Sequence, residues 1–555
     1  MRTEVEIICE NTGTRHKIKP GLTLAEISCE LKIASQHPIL GAMVNNTLKE
    51  LDYSVYTPKT IRFIDITHAA GMRMYQRSLF FVLQKAVKET VPGGKLLIEH
   101  SVSKGFYCEI EGMEQIEYDT IFALIDKMRE IVNQNIPFRR DKVLTKDAIE
   151  IFRKHGLHEK ANLLESRPTL YTSVYYLNDM ADYFFGCLVP STGYLQVFDL
   201  VKYYEGMLLM VPKRKNPEEL EDIVIQNKMF EIFQEYRHWV EILGVGSAAA
   251  INQMVQRGEA SELIKISEAL HEKKVARIAD QIKERGEKVR LIQIAGPSSS
   301  GKTTFSKRLA IQLKVLGLKP YAVSLDNYFV DREHTPRDEN GDYDFESIHA
   351  LDIDFFNKQL IQLMNGEEVE LPKFSFTNGK RYFDGTKLKI EPKGIIIIEG
   401  IHALNPELTH LIENDLKFKI YISALTSLSI DGTSRIPTTD NRLLRRIIRD
   451  HRYRGYSAYD TISRWNSVRR GEDQNIFPFQ EQADVMFNSA SLYEFGILKT
   501  YAEPILHQVP MNVPEYAETV RLLKFLSYFN AIPDDEIPPT SILREFLGGS
   551  TFSYK

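Results

Sequence analysis

The sequence predicts an α/β chain whose second half is organised on a parallel sheet. Three runs carry that expectation: the buried-strand pattern at 291–295, the β-rich run YAVSLDNYF at 321–329 and the isoleucine run GIIIIEG at 394–400. Stretches of helical periodicity separate them, which is how βαβ units read. At 555 residues the chain exceeds what one hydrophobic core organises, so several domains are expected. The composition, 43% hydrophobic and 26% charged, is that of an ordinary globular protein, and a formal charge of −5 gives no global reason to expect a nucleic-acid or membrane surface. The opening residues lack the apolar core of a leader, and no apolar run is long enough to span a bilayer, so a cytoplasmic setting without a membrane is expected. Cys9, Cys29, Cys108 and Cys187 form no C-x-x-C pair, which argues against a disulfide framework and a cysteine zinc site and for small buried apolar side chains.

Taken in order, residues 1–67 alternate β-rich runs at Val5–Cys9 and 61–66 with one helical stretch at 23–31, a small sheet on a helix. Residues 68–215 mix helical periodicity at 74–88 and 118–133 with strand-like runs at 105–112 and 194–200. Residues 216–288 are charged, rich in Glu, Lys, Ile and Leu, and read as a helical connector. The parallel-sheet domain follows over 289–510, and 511–555 reads as a helical tail broken at Ile537-Pro538-Pro539. Within that tail REFLGGSTF has no evident role beyond a turn at Gly548-Gly549.

The chemistry concentrates after residue 289. The pattern G-x-x-x-x-G-K-[ST] falls at Gly296, Gly301, Lys302 and Thr303, between the first strand and a helix whose stripe Phe305, Leu309, Leu313 and Leu316 stops at Gly317. Gly296, Pro297, Ser298, Ser299, Ser300, Gly301, Lys302, Thr303 and Thr304 are therefore the expected cradle for the phosphates of ATP: glycines let the backbone turn its N–H groups inward, and the helix N-terminus favours an anion. Lys302 reaches the β- and γ-phosphates, and Thr303 offers a hydroxyl to Mg2+. Glu399, delivered by the isoleucine run to the strand's C-terminal edge, is the second expected magnesium residue.

Asp326 ends the third run on the same edge. There it accepts the proton of an attacking hydroxyl, contacts magnesium, or does both. Arg442, Arg445, Arg446, Arg449, Arg452 and Arg454 crowd a later helix, with Arg446 and Arg449 on one face. Such a lid supplies positive charge around a transferring phosphoryl group and excludes water.

At this point residues 289–490 resemble the uridine kinase and phosphoribulokinase family, through GPSSSGKTT, SLDNYF, DYDFESIHALD, LPKFSF, IIIIEGIHAL, RRIIRD followed by RG, and ADVMFNSA. The resemblance implies a P-loop NTPase-type kinase that phosphorylates a small hydroxyl acceptor such as a nucleoside. In it Asp326 is the catalytic base, Asp344 lies near the sugar, and Arg446, Arg449 and Arg454 form the phosphate-contacting lid. The base-reading pocket departs from the uridine pattern. Phe374 stands where a tyrosine is expected, Gly379 replaces a histidine, and Arg464 replaces a glutamine, with Lys380 and Arg381 nearby as other contacts. Losing a hydroxyl and an imidazole removes polar readout of the pyrimidine.

The first 212 residues resemble the N-terminal part of threonyl-tRNA synthetases, a β-grasp TGS-like domain followed by an α+β editing-like domain. GLTLAEIS, GFYCEI and DYFFGCLVPSTGYLQVFDL carry the likeness. The four zinc-ligand positions of that second domain read Arg77, Phe81, Phe184 and Leu188 here, none a plausible ligand, which implies a regulatory or binding module. Two other functions stay open at this stage: an RNA- or ribosome-associated ATPase using the first module, and a sugar-phosphate kinase in which Arg464, Arg469 and Arg470 hold the acceptor's phosphate. RNA or a regulatory ligand at the N-terminal module, and homo-oligomers, are partners these readings admit.

Overall fold

The computed structural model describes residues 4–337, 341, 343–375 and 377–554. Of the landmark runs, Asp342 and Phe376 lie outside the described residues.

Residues 5–64 form a five-stranded sheet in the order Thr14–Ile18, Val5–Cys9, Lys59–Ile64, Gly41–Val44, Thr47–Lys49. Only the pairing of Val5–Cys9 with Lys59–Ile64 is parallel. The helix Leu24–Glu30 starts on a capping box, Thr23 and Glu26 satisfying each other's backbone N–H. Its Leu24 and Ile27 close the sheet's core. Cys9 and Cys108 are buried and Cys187 is partly so, but Cys29 is exposed on this helix, contrary to the expectation of four buried thiols.

The next unit packs the long helix Ala69–Thr90 and the helix Tyr118–Asn133 on a four-stranded sheet, with a three-stranded sheet beside it. The run at 194–200 departs from its expected strand, which begins only at Asp199. Val197 cannot pair with a neighbouring strand because the Tyr75 hydroxyl takes its N–H and donates to its C=O, each at 2.9 Å. Phe81, Phe184 and Leu188 lie in this unit's core, with the Phe81 and Phe184 rings 5.0 Å apart. Arg77 is spent on the carbonyl of Cys187, at 3.1 and 2.8 Å.

The stretch 216–288 is largely helical. Its first eleven residues carry no helix, and the helices Asn227–Leu243, Ala248–Gln256 and Ala260–Glu284 are packed into the body. Ile232, Phe233 and Tyr236 join the core on one side of the second-half sheet, and Val275, Ile278 and Ile282 join that on the other. Most charged residues of these helices lie on their outer faces, as amphipathic packing requires, while Glu268 is buried against Tyr493 and Ser541.

The second half is a five-stranded parallel sheet in the order Pro320–Ser324, Ile395–Glu399, Leu291–Ala295, Lys417–Ser423, Val485–Asn488. Helices cover both faces, so Ile395 to Ile398 are buried on both sides. At about 1.5–3 kcal/mol per buried Ile, that run anchors the sheet's centre. Residues 511–554 close the molecule, with the helix Tyr516–Leu526 reaching the N-terminal units and the short helix Arg544–Leu547 reaching the glycine-rich loop. Among the described residues, no helix is long and apolar enough to cross a membrane.

Candidate active site

The parallel register brings the three strand ends together. Ser324 pairs with Glu399, and Glu399 with Ile294, so the loop after Ala295, the turn after Ser324 and the Glu399 carboxylate share one edge. The loop Gly296–Gly301 leads into the helix Lys302–Val315. Gly296 allows close approach, since a Cβ there would lie 2.0 Å from the Ile422 carbonyl oxygen, and Gly301 turns the chain at φ +84°. The buried hydroxyls of Ser299 and Ser300 have no hydrogen-bond partner among the described residues, which fits a cradle made for an external anion. Lys302 arches back over the loop, donating to the carbonyls of Gly296 at 2.9 Å and Pro297 at 3.2 Å. Burial lowers its ammonium against the pull of Glu399, Asp326 and Glu545.

Thr303 donates its hydroxyl to Glu399 Oε1 at 3.3 Å, and Ser324 does so at 3.4 Å. Burial, reinforced by the charge of Asp326, raises the Glu399 carboxyl above the usual range. Two neighbouring carboxylates and a hydroxyl are a hard oxygen set that suits a magnesium ion with water filling the remaining positions. No cluster of three or more His, Cys, Asp or Glu able to hold a metal occurs among the described residues. Asp326 sits in the 3₁₀ turn Leu325–Tyr328, exposed toward the cleft rather than inside the strand.

The arginines divide into two groups. Arg442 and Arg445 are fully buried, each on its own acid: Arg442 on Glu472 and Arg445 on Glu494. Both also brace the loop, Arg442 at the Ser298 carbonyl (3.2 Å), while the Glu472 carboxylate takes the Ser298 N–H (3.1 Å). Arg446, Arg449 and Arg454 instead gather on the buried carboxylate of Asp450, at 3.2, 3.5 and 3.3 Å. Arg446 and Arg449 stand on the last turn of the helix Thr438–Arg449, and a π-helical turn at Asp450–Arg454, ended by Gly455, brings Arg454 to the same carboxylate. Arg446 also reaches the Ser298 hydroxyl at 2.8 Å.

The expected acceptor residues are less tightly grouped. Phe374 packs near Phe329, three residues beyond Asp326, with centroids 5.5 Å apart. Arg381 pairs with Asp352 at 2.8 Å and lies over Phe355. Arg464 is exposed, its guanidinium over Tyr456. Asp344 caps the turn before Glu346 by accepting that residue's N–H at 3.1 Å. Gly379 has a φ of +66°, and a Cβ there would fall 2.7 Å from Arg332 Nε, so the space an imidazole would enter is filled by Arg332.

Four residues at the site carry no sequence signal of their own: Arg332, Glu346, Asp450 and Glu545. Glu346 stands among Lys302, Arg446, Asp344 and Glu472. Burial, with Glu472 and Asp344 adding to it, pushes its carboxyl up to about 7 against Arg446 and Lys302. Its run, DYDFESIH, was conspicuous, but spacing alone does not say which acid turns toward the loop.

Comparison with known proteins bears on this half of the chain. Residues 291–494 match the protein-family model described as the phosphoribulokinase/uridine kinase family. The uridine kinase of Staphylococcus haemolyticus is 31% identical over 197 residues, covering 35% of this chain and 86% of that protein. The uridine kinase of Staphylococcus aureus matches with the same identity and coverage. A solved structure, D-glycerate 3-kinase from Cryptococcus neoformans, overlaps 45% of this chain and 80% of its own at 13% identity with a TM-score of 0.18. The sequence relatives, matched over most of their own length, place the chain: it belongs to the phosphoribulokinase/uridine kinase family, and residues 291–494 carry the ATP-dependent kinase domain of that family.

Proposed function

We propose that the protein transfers the γ-phosphoryl group of ATP to a hydroxyl of a nucleoside, with Mg2+ held by Thr303 and Glu399. The observation that carries this reading is the shared strand edge, where the loop of Lys302, the Thr303–Glu399 pair and the exposed Asp326 meet under Arg446. Bound MgATP supplies the transferred group and ADP as leaving group. Lys302 balances charge on the phosphates, and the Asp450-gathered arginines close over the same space. Asp326 faces the cleft from the acceptor side and takes the proton of the attacking hydroxyl as its oxygen bonds to phosphorus and the bond to ADP breaks. Asp344 and Glu346 then line the acceptor's approach.

The acceptor range is broader than uridine and cytidine. Phe374 offers no hydroxyl, and the Gly379 position is filled by the Arg332 guanidinium, a donor-only group where a histidine would both donate and accept. An acceptor screen tests both statements. ADP formation would be followed with uridine, cytidine, adenosine, inosine, ribulose 5-phosphate and RNA, each against a no-acceptor blank. Turnover with nucleosides above the blank is expected. ATP use that ignores every small acceptor sinks the kinase reading, and a preference for uridine and cytidine above about 10³-fold sinks the broad-acceptor reading, since single apolar contacts discriminate by only about 10–200-fold.

For the first half, residues 1–67 are proposed as a TGS-like β-grasp domain and 68–215 as a synthetase-like module that binds a regulatory ligand rather than zinc. The parallel pairing of first and last strands around one helix supports the former, and the packed interior at Phe81, Phe184 and Leu188 the latter. The boundaries 216–288, 289–510 and 511–555 remain our division of the rest.

A further inference from the structure

The segment after residue 540 has no role in the phosphoryl transfer proposed above, yet several of its contacts fall on the glycine-rich loop and the start of the helix that follows. Glu545, in the short helix Arg544–Leu547, accepts the backbone N–H of Thr304 at 3.1 Å and its hydroxyl at 2.7 Å. The Tyr554 hydroxyl lies 2.9 Å from the same Thr304 oxygen. Ile542 covers Gly301 so closely that a Cβ there would lie 2.4 Å from its Cγ2. Phe546 lies under the Arg445 guanidinium, 5.1 Å away, and Gly548 abuts the Arg452 guanidinium, where a Cβ would lie 2.5 Å from its Nε.

The chemistry of this contact is that of an anion in a phosphate site. A carboxylate at the first turn of the helix Lys302–Val315 takes the place that the helix N-terminus and free N–H groups offer a phosphate. Glu545 also interacts electrostatically with Lys302, Arg449 and Glu399. A backbone N–H has one hydrogen, as does a threonine hydroxyl, so Thr304 cannot give both to Glu545 and also give them to a phosphate oxygen. We infer that residues 541–554 are an intramolecular occupant of the phosphate site, with the Glu545 carboxylate holding the Thr304 donors until a nucleotide phosphate replaces it. This rests on the kinase reading, which makes Thr304 part of the phosphate cradle. Nucleotide affinity is then reduced by the fraction of molecules whose segment is docked.

Calorimetric titration of full-length protein with MgADP tests it. Glu545→Ala is expected to bind about tenfold more tightly than wild type, as removal of a competing charge-assisted pair implies. Tyr554→Phe should tighten binding less. In the unmutated protein, hydrogen exchange of 541–554 should speed up on saturation with MgADP, a readout that stands even if Glu545→Ala fails to fold. Binding that is unchanged or weakened by Glu545→Ala, or exchange of 541–554 that MgADP leaves unchanged or slows, overturns the inference. MgADP binding that Lys302→Ala abolishes while the segment stays protected overturns the inference alone. No binding by wild type or by Glu545→Ala overturns the kinase reading with it.

Discussion

In the kinase half, polar groups gather where strands end, and several have no hydrogen-bond partner among the described residues, as with the Ser299 and Ser300 hydroxyls. In residues 68–215, the four positions that the proposed synthetase likeness matches to metal ligands are Arg77, Phe81, Phe184 and Leu188. Three of these fill the interior, and Arg77 is consumed by a backbone carbonyl. The contrast teaches where chemistry resides. A site keeps unmet hydrogen-bonding capacity and crowded charge at a cleft, whereas positions without such a role are closed by packing.

The sharpest test of that contrast is Lys302→Ala. Removing a preorganised charge from the phosphate site should cost at least about 10²-fold in turnover. The melting temperature should stay close to wild type, because among the described residues the hydrogen bonds of the Lys302 ammonium go to loop carbonyls. Full turnover by Lys302→Ala would erase the distinction between the halves.

Within the kinase half the two arginine groups should separate stability from rate. Arg442→Ala removes the buried guanidinium from Glu472, which keeps Arg469 at 3.0 Å and the Ser298 N–H, and should destabilise the protein by about 3 kcal/mol in urea denaturation. Arg446→Ala leaves Asp450 with Arg449 and Arg454 and frees a Ser298 hydroxyl that is only partly buried, so it should lower kcat with a much smaller loss of stability. Equal loss of stability in both would show that the lid arginines are structural too.

The smallest effect lies where the halves meet. His100 is stacked on Phe233 at 3.9 Å, and burial first, then Arg435 and Arg237, lowers its imidazole to about 3 from an ordinary 6.5. Below pH 6.5 the unfolded chain binds a proton there that the folded protein refuses, so stability falls as pH drops from 6.5 toward 3. The contribution is about 1.4 kcal/mol per pH unit once well below 6.5. His100→Leu should therefore flatten the fall in unfolding free energy between pH 6.5 and 5 relative to wild type. Parallel profiles would mean that His100 titrates freely.

What the sequence made legible was local. A glycine-rich turn between a strand and a helix, an acid after four isoleucines and an aspartate after a β-rich run each announce themselves within about ten residues. What it hid depends on partners far along the chain. Helical spacing groups Arg442 with Arg446, but Glu472 and Glu494 decide which arginine is buried, from 30 and 49 residues away. The run at 194–200 has strand composition, yet a tyrosine hydroxyl 122 residues earlier takes its hydrogen bonds. Arg332 filling the Gly379 position, and Glu545 on Thr304, are likewise side-chain meetings that no periodicity encodes.

The stretch from Arg521 to Asn530 stitches the halves together. Arg521 bridges Asp440 and Glu518, Glu518 meets Arg73, Ser527 receives Arg167, and Tyr528 packs on Phe185 and bonds Tyr183. During synthesis, Arg167, Tyr183 and Phe185 emerge long before the residues that cover them. At about 5–20 residues per second the wait is on the order of tens of seconds. Through that interval the early-made half presents an open aromatic face to its surroundings, so shielding of that face by a chaperone should matter more to the yield of native protein than the speed at which either half folds.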